Sequence, residues 1–355
     1  MMYKDKLISR LAAEHNLEDE DMLYLLKNRS VKSDLQLKTA ARDETDRIFG
    51  KAVYIRGLIE FTNICKNNCY YCGIRRGNNK AVRYRLSKEQ ILSCCTSGYS
   101  AGFRTFVLQG GEDAYFTDDR LCDIVSAIKE NYPDCAVTLS VGERSFNSYK
   151  RLYDAGADRY LLRHETANAG HYKRLHPDDM SFENRMECLQ NLKQIGYQIG
   201  CGFMVGSPYQ TDEDIVKDLR FIKRLQPDMV GIGPFIPHRD TPFGQMQQGS
   251  ADKTVFLLSI IRLLLPEALL PATTALGTAD RDGRINGILH GANVVMPNLS
   301  PQNVRAFYTL YDNKIYSGAE AAECRAQLDD SLKPYGFYTV TARGDSPRLN
   351  NQHGS

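Results

Sequence analysis

Strand-like and helix-like segments alternate along residues 51–312, and this alternation limits the chain to few folds. Strand patterns such as AVYIRGLIEFTN, RTFVLQGGED and CAVTLSVGE are separated by amphipathic helix patterns such as SKEQILSCCTSGYSAG. About eight strand patterns occur at the spacing of βα units. We therefore predict a (β/α)8 barrel of the TIM type, with a doubly wound open sheet as the alternative.

Further segments flank the predicted barrel. Residues 1–50 carry three helix patterns, DKLISRLAAEH, DEDMLYLLKNR and DLQLKTAARDETDRIFG, and Gly50 suits the end of the last one. We expect an N-terminal helical extension over 1–50, the barrel over 51–312, and a C-terminal helical segment with a polar tail over 313–355. The tail, ARGDSPRLNNQHGS, is polar enough to predict disorder.

Charge and hydropathy exclude some classes of partner. The formal net charge is +2, so neither nucleic acid nor an acidic membrane surface is expected as a partner. No apolar run reaches the ~18 residues that span a bilayer. The first residues, MMYKDKLISRLAAEH, lack the apolar core of a signal peptide. We expect a cytoplasmic protein with reduced thiols, in which the ten cysteines form no disulfide framework.

Three cysteines stand apart from the rest. Cys65, Cys69 and Cys72 form C-x3-C-x2-C in a polar turn directly after the first predicted strand, whereas the others are scattered through apolar patterns. A loop at that place lies at the active-site end of a barrel. Zinc is one alternative, but structural zinc needs four closed ligands, and no second cysteine pair of suitable spacing occurs. An iron–sulfur cubane with three thiolate ligands and one open iron is favoured.

The cysteine spacing, with an aromatic residue before the last cysteine and QGGED after the second strand, resembles the radical S-adenosylmethionine (SAM) superfamily. In that family the amino and carboxylate groups of SAM chelate the open iron of a 4Fe-4S cluster. An electron from the cluster then releases a 5′-deoxyadenosyl radical. The resemblance implies that the three loop cysteines bind the cluster and that Tyr71 lines the adenine site. It also implies a SAM contact at Gly110, Gly111 and Glu112.

Further phrases, among them YIRGLIEFTNICKNNCYYCGIRR, LLRHETAN and MVGIGPFIPHRDTP, are similar to the HydE-type maturases of FeFe-hydrogenase. The similarity implies a small iron–carbonyl–cyanide–cysteine substrate, supplied by another hydrogenase maturase and converted towards the di-iron precursor. It also implies an electron donor such as ferredoxin or flavodoxin. The alternatives are a mutase or synthase acting on an amino acid, like methylornithine synthase or biotin synthase, and a metal carrier or scaffold without turnover.

The same resemblance assigns further residues to SAM. It implies that Glu165 in RHETA contacts SAM and that Arg185 in SFENR pairs with the SAM carboxylate, a task suited to the planar guanidinium. Ser140, on the third strand, resembles a hydroxyl of the SAM site. The alternatives are a salt bridge at the barrel rim for Glu165 and an exposed helix arginine for Arg185.

On the substrate side, the resemblance implies an anion or carboxylate site. Its residues are Arg163 from the fourth strand, Thr138 from the third, and Thr273 and Thr274 from the seventh. A charge inside a barrel must be paired to be tolerated, whereas threonines on a strand are also ordinary strand formers. His164 alternates to the other face of its strand and is expected to pack.

The segment YDNKIYSGAEAAECRAQ departs from some members of the maturase family, which carry a second cysteine cluster there. Only Cys324 is present in it. One thiol cannot hold a cluster unaided, so a single cluster per chain is predicted.

Overall fold

The computed structural model describes residues 3–315 and 321–349. Its strands are β1 Ala52–Ile55, β2 Gly57–Thr62, β3 Thr105–Gly110, β4 Ala136–Ser140, β5 Arg159–Leu161, β6 Gln198–Cys201, β7 Met204–Val205, β8 Met229–Val230, β9 Gly233–Pro234, β10 Val294–Val295 and β11 Tyr338–Val340. Its helices are α1 Tyr3–Glu14, α2 Asp19–Lys27, α3 Val31–Phe49, α4 Lys88–Ser100, α5 Asp118–Asn131, α6 Phe146–Asp154, α7 Ala169–Leu175, α8 Phe182–Ile195, α9 Asp212–Leu225, α10 Ala251–Leu264, α11 Thr274–Ala279, α12 Gly283–Leu289, α13 Gln302–Arg305 and α14 Ala321–Leu332.

The strands close into a ring. A six-stranded parallel sheet runs in the order β2-β3-β4-β5-β6-β8. Two further extended segments, around residues 269–271 and 294–298, complete the ring. Single parallel bridges join Met229 to Leu269, Pro271 to Val294, and Asn298 back to Leu58. The predicted (β/α)8 barrel is therefore confirmed, and the open-sheet alternative is wrong because both edges of the sheet are joined.

Local signals in the sequence place many of the helices. Ser30, Ser87 and Thr211 each begin a helix with a capping box, in which the cap and the third helical residue satisfy each other's backbone donors. Helices α1–α3 precede the barrel, where α1 and α3 pack on α10 and α2 packs on α9. Within the described residues, no helix is both long and apolar enough to cross a membrane.

The seventh strand, which the sequence predicts to carry Thr273 and Thr274, ends before these two residues. Only Leu269 and Pro271 make strand bridges, and the chain then turns into the short helix α11. Thr273 caps that helix, and its hydroxyl accepts the Leu276 N–H at 3.3 Å. A threonine after a short extended segment suits a helix N-cap as well as a strand, and here the cap prevails.

The predicted disorder of the polar tail is wrong for residues 342–349. Arg159, the first residue of β5, is fully buried and donates to Asp345 Oδ1 at 2.6 Å and to the Arg343 carbonyl at 2.8 Å. Asp345 also accepts from Gln198, the first residue of β6, at 2.9 Å. The tail is ordered because it supplies the carboxylate that a buried guanidinium requires. It closes the amino-terminal end of the barrel, and residues 350–355 lie outside the described part of the chain.

Candidate active site

A cavity of about 300 Å³ opens at the carboxyl ends of the barrel strands. Its lining brings together most of the residues that the sequence singled out: Cys65, Cys69, Tyr71, Cys72, Gly110, Gly111, Glu112, Ser140, Arg163, Glu165, Arg185 and Thr273. A larger cavity of about 510 Å³ lies beside α11 and is lined by none of the three loop cysteines. The smaller cavity is therefore the candidate active site.

The cysteine loop leaves β2 and folds over the mouth of this cavity. All three of its thiols are partly buried, and the Cys65 sulfur accepts the Glu112 N–H at 3.4 Å. Burial raises the pKa of each thiol, to about 12 for Cys72. Such thiols hold their protons unless a bound metal compensates the charge of the thiolate.

The number of thiols in the loop bears on the kind of metal site. Within the described residues, no group of three Cys, His, Asp or Glu side chains is arranged to hold one metal ion. A polynuclear cluster asks each thiolate to bind a different iron, so three thiols on one loop suit it, whereas structural zinc needs four ligands around a single ion.

Two glycines allow the QGGED segment to approach its neighbours, Gly111 at the cysteine loop and Gly142 at the loop after β4. A Cβ on Gly111 would come within 2.7 Å of the Cys65 Cβ and 2.3 Å of the Ile64 carbonyl oxygen. A Cβ on Gly142, whose φ is +79°, would overlap the Glu112 side chain at 2.1 Å. The Glu112 carboxylate meanwhile accepts the Glu143 N–H at 3.0 Å and lies 3.1 Å from Lys66 Nζ. Glu112 therefore ties the loop after β4 to the cysteine loop.

Tyr71 is held in place by a histidine that sequence reasoning missed. His176 Nδ1 lies 3.0 Å from the Tyr172 carbonyl oxygen and must donate to it, so Nε2 accepts from the Tyr71 hydroxyl at 3.1 Å. Burial lowers the pKa of His176 to about 3, which keeps the ring neutral. The two rings meet edge to face, with centroids 5.4 Å apart. The Tyr71 ring, which lines the cavity, is thereby held both by its hydroxyl and by ring packing.

Arg163 and Glu165 form a charged pair at the cavity wall. Arg163 Nη2 lies 3.2 Å from Glu165 Oε2. Nevertheless, Arg163 Nε, Arg163 Nη2 and Glu165 Oε2 have no hydrogen-bond partner among the described residues. Glu165 also has a φ of +63°, which is uncommon for a residue with a Cβ and typical of functional sites. The two Arg163 nitrogens can therefore donate hydrogen bonds to a polar ligand, and the Glu165 oxygen can accept one from it.

Arg185 enters the cavity from α8 and is buried. Its Nε pairs with Glu143 Oε1, and its Nη1 donates to the Arg163 carbonyl at 2.6 Å. The Glu143 carboxylate beside it helps to raise the pKa of Arg185 despite burial. Burial of the side chain contradicts the alternative of an exposed helix arginine. Ser140, at the end of β4, faces the same cavity.

The predicted threonines of the substrate site do not all meet. Thr273 lines the cavity, but its hydroxyl also donates to the Ile232 carbonyl at 3.2 Å. Thr274 lines the larger cavity instead, because α11 turns it away. Thr138 is buried and lines neither cavity, and its hydroxyl has no hydrogen-bond partner in the described part of the chain.

A buried pair behind the cavity holds the turn that carries Arg163 and Glu165. His164 Nδ1 accepts the Gly202 N–H at 3.3 Å, so the ring proton is on Nε2, which lies 3.4 Å from Asp218 Oδ1. Asp218 Oδ1 also accepts the Ala167 N–H. His164 lies among Phe203 and Phe221, as a packing residue would.

We expect Asp218→Asn to stabilise the protein more at pH 8 than at pH 5. Burial raises the pKa of Asp218 well above that of an unfolded aspartate, about 3.9. Between the two values the folded chain holds a proton that the unfolded chain lacks, so stability falls as pH rises. Asparagine removes that loss, by about 1 kcal/mol or more at pH 8. Thermal unfolding of both proteins at the two pH values measures the difference.

Asp214→Asn is the matched control, because hydrogen bonds from Asn168 and Thr211 lower the pKa of Asp214 despite its burial. A lowered pKa contributes stability above the unfolded value, so the stability deficit of this variant relative to the wild type should grow from pH 3 to pH 5 and stay nearly constant from pH 5 to pH 8. A gain at Asp218→Asn that does not change with pH would contradict the prediction.

Several residues of the site escaped the sequence analysis. Glu143 lies three residues after β4, so the expectation that functional residues follow the carboxyl ends of barrel strands could have found it. His176 lies just after α7 and Tyr308 lies between α13 and α14, after the strands of the barrel, and neither carried a comparable signal.

Comparison with known proteins gives consistent matches. The model of the Radical SAM superfamily matches residues 59–222. The [FeFe] hydrogenase maturase subunit HydE of Thermotoga maritima is 48% identical over 274 residues, which cover 77% of this chain and 78% of that protein. The 3-methylornithine synthase of Methanosarcina acetivorans is 30% identical and covers 82% of each chain.

Solved structures agree in fold. The crystal structure of methylornithine synthase matches with a TM-score of 0.82 at 27% identity, covering 94% of this chain and 97% of that one. The hydrogenase maturase HydG matches with a TM-score of 0.83 at 17% identity, covering 99% and 80%. At that identity the second match shows a shared fold and nothing more.

Proposed function

The chain belongs to the radical SAM superfamily as an enzyme of the HydE type, and from this premise we propose that it is a maturase of FeFe-hydrogenase. It cleaves SAM reductively at one 4Fe-4S cluster and converts a small iron–carbonyl–cyanide–cysteine species towards the di-iron precursor of the hydrogenase. The observation that carries the proposal is the 48% identity to the Thermotoga maturase over 77% of the chain.

The cysteine loop is proposed to hold the cluster through Cys65, Cys69 and Cys72. The fit rests on three half-buried thiols at one cavity mouth and on the Glu112 N–H at the Cys65 sulfur. When bound, the cluster with SAM supplies the 5′-deoxyadenosyl radical. The protein's part is to exclude water, to position the reactants and to neutralise their charges.

The residues that we assign to SAM surround the same cavity. The Arg185 guanidinium pairs with the carboxylate, and the Glu165 carboxylate binds ribose hydroxyls or balances the sulfonium charge. The fixed ring of Tyr71 lines the adenine, and Ser140 adds a hydroxyl. The amino group is received along Gly110, Gly111 and Glu112, where the missing side chains let the backbone approach.

The substrate is assigned to the cavity wall around Arg163 and Thr273. Arg163 carries hydrogen-bond donors that no described residue uses, so an anionic group of the substrate can take them. Thr138 and Thr274, from the same predicted anion site, would need to reach the substrate by a rearrangement of their side chains. Another maturase supplies the substrate, an electron carrier such as ferredoxin or flavodoxin supplies the electron, and both meet the enzyme in the cytoplasm.

A mutase or synthase acting on an amino acid is the second candidate. It is favoured by the fold match to methylornithine synthase and by the 30% identity to that enzyme from Methanosarcina. The maturase assignment is preferred because the identity to HydE is much higher over a similar share of the chain.

The test begins with anaerobically reconstituted protein and dithionite. We expect it to release 5′-deoxyadenosine from SAM and to restore hydrogenase activation in an extract that lacks its own HydE. An extract that stays inactive, while the protein isomerises a free amino acid, would favour the mutase. A protein that binds zinc and releases no 5′-deoxyadenosine would overturn both assignments.

A further inference from the structure

Charge is distributed unevenly around the cysteine loop. The whole chain has 45 basic and 43 acidic residues, yet no aspartate or glutamate occurs from residue 61 to residue 88. The basic residues of this stretch are Lys66, Arg75, Arg76, Lys80, Arg83, Arg85 and Lys88. Such segregation in a nearly neutral protein produces a local positive field.

The two arms of the loop form one continuous surface. The Arg76 N–H donates to the Asn67 carbonyl at 2.8 Å, and the Gly77 N–H donates to Asn68 Oδ1 at 3.0 Å. The Arg75 guanidinium crosses between the arms to the Asn68 carbonyl at 3.2 Å. We name the surface formed by residues 66–68 and 75–80 the loop face. It is built from the same short segment as the cluster cysteines.

On the loop face, the basic side chains are more exposed to solvent than most of the carboxylates that pair with them. The side chains of Lys66, Arg76 and Lys80 are 63%, 61% and 79% exposed. The carboxylates that pair with Lys66 and Lys80 are only 10% and 20% exposed. Asp179 is the exposed exception, 3.9 Å from Arg76.

Two further guanidiniums reinforce this charge. Arg83, beneath the face, donates to four carbonyl oxygens, those of Asn63, Ile74, Arg75 and Asn78. In the part of the chain that the structure describes, neither Arg83 nor Arg75 has a carboxylate within ion-pair distance. Their charges are therefore not cancelled locally, and the face as a whole is positive.

We propose that the loop face is the docking surface for an acidic one-electron carrier protein. This inference rests on the proposed function, which requires an electron at the cluster. The carrier is oxidised by one electron and the cluster is reduced by one, without a bond formed or broken. The Arg75 N–H donates to the Cys72 carbonyl at 3.1 Å, so a carrier on this face sits against the segment that holds the cluster. Positive and negative patches speed such encounters.

The experiment compares two electron sources in reconstituted protein. Arg76→Glu combined with Lys80→Glu reverses charge at exposed side chains that make no hydrogen bond to the cysteines. With a small acidic ferredoxin as donor, we expect the initial rate of SAM cleavage to fall about tenfold or more at low salt, and the difference to shrink as salt is added. With dithionite, the rate should remain within about twofold of the wild type, because a small reductant needs no docking surface.

Direct binding gives a readout that is independent of turnover. Calorimetric titration of oxidised ferredoxin into the reconstituted protein should show a Kd about tenfold higher for the variant. The matched control is Lys150→Glu with Arg151→Glu, an adjacent exposed pair on α6 that also lies beside carboxylates. This control should change neither the Kd nor either rate.

Each outcome decides between the claims. Equal ferredoxin rates and equal Kd values for wild type and variant would overturn the docking surface and leave the proposed function standing. A wild type that cleaves no SAM with dithionite would instead overturn the proposed function. If the charge reversal lowers the dithionite rate as well, Arg76→Gln with Lys80→Gln decides. A selective loss with ferredoxin then supports the proposal, and its absence contradicts it.

Discussion

Replacement of Cys72 by alanine is expected to abolish SAM cleavage, with a loss of more than about 100-fold. The cavity has three thiols at its mouth, and a cluster held by the remaining two would keep a second open iron and dissociate. Iron content per chain, visible absorbance and 5′-deoxyadenosine release measure the loss together. The variant should still fold, because a thiol whose pKa is raised by burial is a small neutral group in the metal-free protein.

Cys122→Ala is the matched control for this experiment. Cys122 lies on α5, away from the cavity lining, and should leave both iron content and turnover unchanged. A Cys72→Ala protein that keeps its iron and its activity would show that the loop does not hold the cluster.

Arg185→Ala is expected to reduce SAM cleavage about 100-fold while iron content stays the same. The change removes a buried cation, which also pairs with Glu143, and losing one partner of a buried charge pair with the SAM carboxylate costs roughly 2–5 kcal/mol of binding. If Arg185 binds the SAM carboxylate, the effect should fall largely on the KM for SAM. Arg185→Lys should restore part of the affinity, since it returns the charge without the planar fork.

Glu143→Gln separates binding from positioning. It keeps a hydrogen-bond acceptor for Arg185 but removes the charge, so a small change in KM is expected if Arg185 contacts SAM directly. An Arg185→Ala protein with an unchanged KM for SAM and an unchanged rate would contradict the assignment.

The strand ends show why much of the site could be predicted. In a parallel barrel the carboxyl ends of all strands meet at one rim, so QGGED, RHETA and the cysteine loop are brought together once the order of elements is known. The threonines after the seventh strand mark the limit of this rule. Thr273 and Thr274 are neighbours in sequence, yet a helix start between them sends their side chains into different cavities.

The partnerships within the site were beyond sequence reasoning. Tyr71 pairs with His176, and Arg185 with Glu143, across sequence separations of 105 and 42 residues. No periodicity or spacing signals such a pair, because the distance between two side chains depends on how their helices and loops pack. The same limit applies to the loop face. Its basic residues can be counted in the sequence, but hydrogen bonds between its two arms join them into one surface, and the sequence does not predict those bonds.

By itself the sequence determined the alternation of strands and helices, and with it the barrel and the position of C-x3-C-x2-C at the active-site rim. These features are local, since periodicity, caps and motif spacing act over a few residues at a time. The tertiary structure alone decided which buried charges are compensated and by which partner. It ordered a tail that its composition marked as disordered, because Arg159 is buried in the barrel floor and Asp345 is the carboxylate that reaches it. Burial makes that ion pair necessary, and burial is a property of the whole fold.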